Sequence, residues 1–345
     1  MGTLTTATQV LHPVRVEEDT GAARRAVARA AAIVGGLRAG DPEIVVTELA
    51  ANIVRHTTKG GYLLWDAGPG WLEVIAVDHG PGLRPGDLPA PLPGGAVPPL
   101  PPPRAGGLGV GLGAVQRLAS GFDWYSGADG TVILARLGTP PRAWPEVARW
   151  GAVNVPLGGG GVSGDSWAVT TGDCLTAVVV DGLGHGPAAG AAAAAALTAL
   201  DRAASRSDPG ELLRRAHEAM HGTRGGVLAA GVIRPGLGEL TYAGVGNIAG
   251  RLVHGRESRG LISREGTLGT QLPMPGPHLT GLPWAPGSVL ILTSDGIRSQ
   301  WDPLAYPGLL ERDPSVTAAV IYRDHGRGSD DATVLVVRDV RHGSR

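Results

Sequence analysis

Residues 178–186 read VVVDGLGHG. An apolar run stops on Asp181, and a glycine-rich turn follows at once. Such a run, bounded by turn signals, reads as a strand that delivers a carboxylate to its exit. The same half of the chain repeats the pattern. Asp165 lies in SGDSW (163–167), Asp295 ends VLILTSDG (289–296), and Asp330 and Asp331 open SDDATVLVV (329–337). Strands pair in sheets, so their ends can gather these acids at one edge. A single strand-end Asp is ordinarily a turn former. Four in this arrangement are harder to explain that way. Clustered carboxylates in a low dielectric repel by several kcal/mol, and they coexist when cations sit among them. Oxygen-only ligands favour Mg²⁺ or Mn²⁺ over zinc. Two such ions can clamp a phosphate and activate a water for in-line attack.

About a hundred residues earlier the chain does nearly the same thing, in VIAVDHGPG (74–82). Here Asp78 leaves the strand, and Gly80 and Gly82 let the backbone approach a flat ligand. A carboxylate at this place can accept a hydrogen bond from an exocyclic amino group such as that of adenine. It can also simply start a turn. Upstream, ELAANIVRH (48–56) sets Glu48, Asn52 and His56 four residues apart, on one face of a helix. A carboxylate and an amide so placed can hold a water and Mg²⁺ together, with phosphate oxygens in the rest of the shell. The bland alternative is the solvated edge of an amphipathic helix. Downstream, GGLGVGLGAV (106–115) offers Gly107, Gly109, Gly111 and Gly113 ahead of a helix. Amide N–H groups at a helix start suit phosphate. Thr131, in DGTVILARL (129–137), can add a hydroxyl near the phosphates or be a plain strand residue.

The length of 345 residues favours two domains, because single cores rarely grow beyond ~250–300 residues. Lys+Arg number 30 and Asp+Glu 31, so no bulk attraction to nucleic acid or anionic lipid is implied. One cysteine, Cys174, rules out an internal disulfide and fits a reducing cytoplasm. No signal peptide is legible. The longest alanine run, 188–200, falls short of the ~20 residues of a membrane span and reads as a buried helix. The proline content of GTPPRAWPEVARWG (138–151) is that of a linker. Helices are expected over 22–38 and from Asp41, with Asp41 as cap and Pro42 in the first helical position. GELTYAGVGNIAGRLV (238–253) is read as strand throughout.

The order of these pieces over residues ~10–138 resembles the GHKL ATPases, above all the anti-sigma-factor-type serine kinases of bacterial stress signalling. The matching stretches are TELAANIVRH, DHGPG, GGLGVGLGAVQRLAS and GADGT. The resemblance implies that Glu48 is general base toward a protein hydroxyl, Asn52 holds Mg²⁺, Asp78 reads adenine and 106–113 cradles the phosphates. The proline-rich stretch 83–105 would be the ATP lid.

Residues ~152–340 resemble the SpoIIE-like branch of metal-dependent serine/threonine phosphatases. They do so through SGDSW, VVVDGLGHG, GELTYAGVGNI, LILTSDGI and SDDATVLVV. Carried over, Asp181, Asp295 and Asp330 bind one Mn²⁺ or Mg²⁺. Asp165, Asp181 and the Gly182 carbonyl bind the other. Asp330 is preferred to Asp331. His185 is either a general acid or a helix cap. Arg224 can contact phosphate or be a surface arginine. Asn247 is read as a turn residue and Cys174 as core.

The expected fold is α+β in two domains. A GHKL (Bergerat) α/β sandwich spans 1–138, a linker 139–151, and an α-β-β-α phosphatase sandwich 152–345. The expected function is a bifunctional partner-switching regulator, with a MgATP-dependent kinase half and a phosphatase half. Its partner would be a small STAS-like antagonist protein, with a sigma factor or stress-complex scaffold as further candidates. In the alternative, the first half only binds ATP and regulates the second or sequesters a sigma factor.

Overall fold

The computed structural model describes residues 8–83, 109–138, 147–201 and 208–341. Its chain separates after Arg142 into two units. The first runs β1 (Val10–Val14), α1 (Glu17–Val34), α2 (Asp41–His56), β2 (Gly61–Gly68), β3 (Trp71–Asp78), α3 (Gly109–Leu118), β4 (Gly121–Gly127) and β5 (Gly130–Gly138). The strands form one antiparallel sheet, in the order β1-β2-β3-β5-β4. Val45, Val46, Leu49, Ala50 and Ile53 recur every three to four residues on α2 and are buried. They pack with Val27 of α1, Val115 of α3, and the alternate residues Leu72, Val74 and Ala76 of β3. That burial turns the other face of α2, bearing Glu48 and Asn52, away from the helix core.

Two expectations are corrected here. The cap of α2 is Gly40 at φ +90°, a backbone that glycine adopts without strain, so Asp41 and Pro42 become the first two helical residues. The helix α3 starts at Gly109, so Gly109, Gly111 and Gly113 lie inside it rather than in a loop before it. Gly107 and, but for Leu83, the stretch 83–105 expected to be the lid lie outside the described residues.

The second unit runs β6 (Ala148–Val155), β7 (Asp165–Thr171), β8 (Leu175–Gly182), α4 (Pro187–Asp201), α5 (Pro209–Ala219), β9 (Gly226–Arg234), β10 (Glu239–Val245), β11 (Ala249–His254), β12 (Glu257–Leu261), β13 (Thr280–Pro283), β14 (Val289–Thr293), α6 (Pro314–His325) and β15 (Ala332–Asp339). Two five-stranded sheets, β13-β10-β9-β8-β7 and β12-β11-β14-β15-β6, face each other. Trp167, Val179 and Ala229 of one meet Trp150, Leu290, Leu292 and Leu335 of the other. The alternate residues of the first sheet, such as Val178, Val180 and Leu228, face α4 and α5. On the second sheet, α6 packs on β6 and β15. Strands covered on both sides need apolar residues at every position, which is why VVV and VLVV runs replace alternation. The result is an α-β-β-α sandwich.

Three features depart from the sequence reading. β6 starts at Ala148, inside the expected linker, because Ala148 and Trp150 are core residues. α6 was not expected. It approaches so closely that a Cβ on Gly151 would lie 2.2 Å from the Ser315 amide nitrogen. The stretch 238–253 is two strands in different sheets, broken at Gly246 with φ +97°. No helix among the described residues is long and apolar enough to cross a membrane.

Candidate functional sites

The acids of the second unit converge because antiparallel pairing brings their strand ends together. Asp165 opens β7 and Asp181 nears the end of β8, and the two are direct register partners. Thr293 pairs with Val334, so the residues just past β14 and just before β15 are neighbours. These are Asp295 and the Asp330–Asp331 pair. Buried Ser294 ties the two sheets at this point. Its Oγ donates to Asp165 Oδ2 at 2.6 Å and accepts from the Thr333 amide at 2.8 Å.

The two adjacent aspartates at 330–331 have different surroundings. Asp331 is 2 % exposed and accepts from the Leu157 amide at 2.6 Å and the Gly164 amide at 2.7 Å. It is spent on holding the 157–164 loop. Asp330 lines a cleft of about 570 Å³ together with Asp181, Asp295, Asn247, Glu265 and Gly184. Asp330 thus faces the cleft while Asp331 does not, and its Oδ1 accepts from the Asp331 amide at 2.9 Å. Gly182 has its Cα against the start of α4, where a Cβ would lie 2.2 Å from the Ala189 carbonyl oxygen.

The cluster is short of positive charge. Burial, and then the neighbouring Asp331 and Asp295, push Asp165 up to about 7 despite the Ser294 hydrogen bond. Burial, and then Asp165, Asp295 and Asp330, push Asp181 up to about 8. Asp295 is raised by burial and Asp330, and eased by a hydrogen bond from Asn247 and by Arg327. Asn247 Nδ2 donates to Asp295 Oδ2 at 2.8 Å. The sequence alone makes Asn247 a turn residue and carries no signal for Ser294. The Gly-Asn dipeptide after an apolar run was the only available signal. Among the described residues no three His, Cys, Asp or Glu groups stand close enough to enclose an ion unaided. Cations here would draw part of their shell from water and phosphate, as Mg²⁺ usually does. His185 is exposed in the turn before α4 and does not line the cleft. Cys174 is buried among apolar neighbours.

In the first unit a pocket is lined by Asn52, His56, Asp78, Gly80, Gly82, Leu112 and Thr131. Asp78 Oδ1 accepts from the Gly80 amide at 2.7 Å and the Thr131 amide at 3.2 Å. Among the described residues nothing takes up Oδ2, which is left for a ligand donor. Gly82, at φ +78°, lies so near β4 that a Cβ would sit 2.2 Å from the Gly127 carbonyl oxygen. Asn52 Nδ2 is buried and, among the described residues, has no hydrogen-bond partner. An orphaned amide beside a half-used carboxylate fits a bound nucleotide.

Thr131 stands beside Asp78, its hydroxyl 3.0 Å from Ser126 Oγ, which accepts from the Leu83 amide. The pairing of β3 with β5 sets it next to Asp78, whose Oδ1 accepts from its amide at 3.2 Å. Glu48 does not line this pocket. Its Oε2 lies 2.2 Å from where a Cβ on Gly111 would stand, against the early part of α3.

Residues 171–339 match the family model described as Stage II sporulation protein E (SpoIIE). Residues 13–137 match the histidine kinase-like ATPase domain. Among solved structures, one described as "The bacterial stressosome: a modular system that has been adapted to control secondary messenger signaling" is 26% identical, with a TM-score of 0.51. The match covers 55% of this chain and 99% of that one. RsbX in complex with magnesium is 24% identical, with a TM-score of 0.49, over 57% of this chain and 97% of that one. The RsbU and RsbW domains of a Mycobacterium tuberculosis protein are 23% identical, with a TM-score of 0.48, over 57% and 63%. No curated protein matches the chain.

Proposed function

Because this chain joins a histidine kinase-like ATPase domain to a SpoIIE phosphatase domain, we propose that it is a two-headed regulator of bacterial partner switching. The SpoIIE unit removes phosphate from a serine or threonine of a small STAS-like antagonist protein. The ATPase unit places phosphate on the same kind of residue, using MgATP. The stressosome setting of the 26% identical neighbour supports a partner from stress signalling.

One observation carries the phosphatase reading. Asp165 and Asp181, paired across β7 and β8, are pushed to about 7 and 8 by burial and then by the carboxylates around them, where positive charge is wanting. Two Mn²⁺ or Mg²⁺ ions would supply that charge, together with phosphate polarisation and an activated water. The chain's own groups then have separate tasks. Asp165, Asp181, Asp295, Asp330 and the Gly182 carbonyl hold the cations. Asn247 fixes one oxygen of Asp295 and Ser294 one oxygen of Asp165. In the ATPase unit, Asp78 Oδ2 accepts from the adenine amino group, Asn52 serves Mg²⁺, and Glu48 takes the proton of the incoming hydroxyl. The helix start at Gly109–Leu118 offers amides to the phosphates. Tethering raises the local concentration of each head for a shared partner.

A stability test follows from the raised carboxyls. A carboxyl whose pKa rises on folding favours the folded state while it stays protonated. That advantage is lost as pH climbs from the ordinary 3.8 through about 7 for Asp165 and about 8 for Asp181. The metal-free chain is therefore expected to melt higher at pH 5.5 than at pH 8.5, and added Mn²⁺ to raise the melting temperature more at pH 8.5. Calorimetric scans with and without chelator check this. An equal Mn²⁺ effect at both pH values would remove the cluster's role as a cation site.

The function itself is tested with labelled ATP, Mn²⁺ and candidate antagonist proteins. The expected result is transfer of label to serine or threonine, and metal-dependent release of phosphate from the phosphorylated partner. ATP binding without transfer would reduce the ATPase unit to a nucleotide-dependent regulator.

A further inference from the structure

We propose that Arg224 grips the substrate phosphate from the protein side of the SpoIIE cleft; this rests on the phosphatase reading above. Arg224 sits in the short turn that links α5 to β9, and its backbone is pinned on both sides. Thr223 Oγ1 donates to the Met220 carbonyl at 2.7 Å and accepts from the Gly225 amide at 3.0 Å. Gly225 takes φ +74° and sits so close to the 268–270 segment that a Cβ would lie 2.4 Å from the Leu268 carbonyl oxygen. The Gly225 carbonyl accepts from the Leu183 amide at 3.0 Å, two residues past Asp181. The turn is thereby tied to the turn that carries the central acid of the cluster.

From this fixed base the arginine reaches the turn at Gly184. A Cβ on Gly184, a cleft-lining residue at φ +86°, would stand 3.1 Å from Arg224 Nη1. Arg224 is exposed, and no carboxylate among the described residues takes it up, although Asp181, Asp295, Asp330 and Glu265 line the same cleft as Gly184. Arg327 differs, since its charge already acts on Asp295. Once cations balance the acids, a phosphate dianion between them still has oxygens facing the protein wall. A guanidinium fork fits two such oxygens better than a lysine's point charge. The Gly184 turn leaves the space that the fork needs.

Inorganic phosphate and a phosphoserine peptide serve as probes on the full chain loaded with Mn²⁺. Arg224→Ala is expected to weaken phosphate binding by calorimetry about tenfold or more, and to raise KM for the peptide by a similar factor. The Mn²⁺ concentration for half-maximal activity should stay as in the native chain, and Arg224→Lys should recover part of the loss. Unchanged phosphate affinity and KM in Arg224→Ala would overturn the assignment. If the native chain bound phosphate through Arg224 but hydrolysed nothing, the anion site would stand and the phosphatase reading would fall.

Discussion

Asp181→Asn is expected to lower metal-dependent hydrolysis of phosphoserine by roughly 10³-fold, while the metal-free protein melts higher at pH 8 than the native chain. The two halves of this result have one cause. Asp181 is the acid on which the others act most. It faces Asp165 across the β7–β8 hairpin, and it lines the cleft with Asp295 and Asp330. As a shared cation ligand its charge is worth several kcal/mol to a phosphoryl transition state, at ~1.4 kcal/mol per factor of ten in rate. Without metal the same charge is a liability, because burial and its neighbours oppose ionisation. An amide of nearly the same shape removes the liability and the ligand together. Rate assays across a Mn²⁺ series and melting scans at pH 8 read the two effects. A variant that lost activity and also lost stability in the metal-free form would mark Asp181 as a structural residue instead.

Asp78→Asn is expected to weaken ATP binding by roughly 100-fold without unfolding the ATPase unit. The carboxylate divides its labour between two oxygens. Oδ1 accepts from the Gly80 and Thr131 amides and holds the turn against β5. An asparagine can keep those bonds by directing its own oxygen to them. Its NH₂ group then replaces Oδ2 and meets the adenine amino group donor to donor. A buried mismatch of that kind is costly because neither group can return to water. Titration with ATP, alongside circular dichroism of the variant, separates lost recognition from lost fold. Retained affinity would show that the base is read elsewhere.

Much of the candidate site was legible because strand ends are local events. VVVDG, LTSDG and the DDAT opening each announce a buried strand and the acid at its limit, and all three acids reach one cleft or its floor. The pocket face of α2 was equally local, since Asn52 and His56 follow from helical spacing alone, while Glu48 lies against α3 instead. What could not be read were groups whose role depends on two distant elements meeting. Ser294 is an ordinary serine until β7 and β15 lie beside it, and then it bridges Asp165 to the Thr333 amide. Asn247 becomes an Asp295 partner only because Gly246 bends the chain from one sheet to the other. Thr131 offers its amide to Asp78 only because β5 pairs with β3.

By itself the amino-acid order determined the two-domain layout, the strand that carries each acid, and the oxygen-rich chemistry that divalent cations favour. Those properties depend on periodicity, turn residues and ligand type, which act over a few neighbouring positions. Only the tertiary structure decided which of two adjacent aspartates faces the cleft. Asp331 is held by amides from residues more than 160 positions away, and Asp330 is left facing the cleft. Hydrogen-bond satisfaction in a packed interior is a long-range property, and it is settled when the sheets close on each other rather than along the chain.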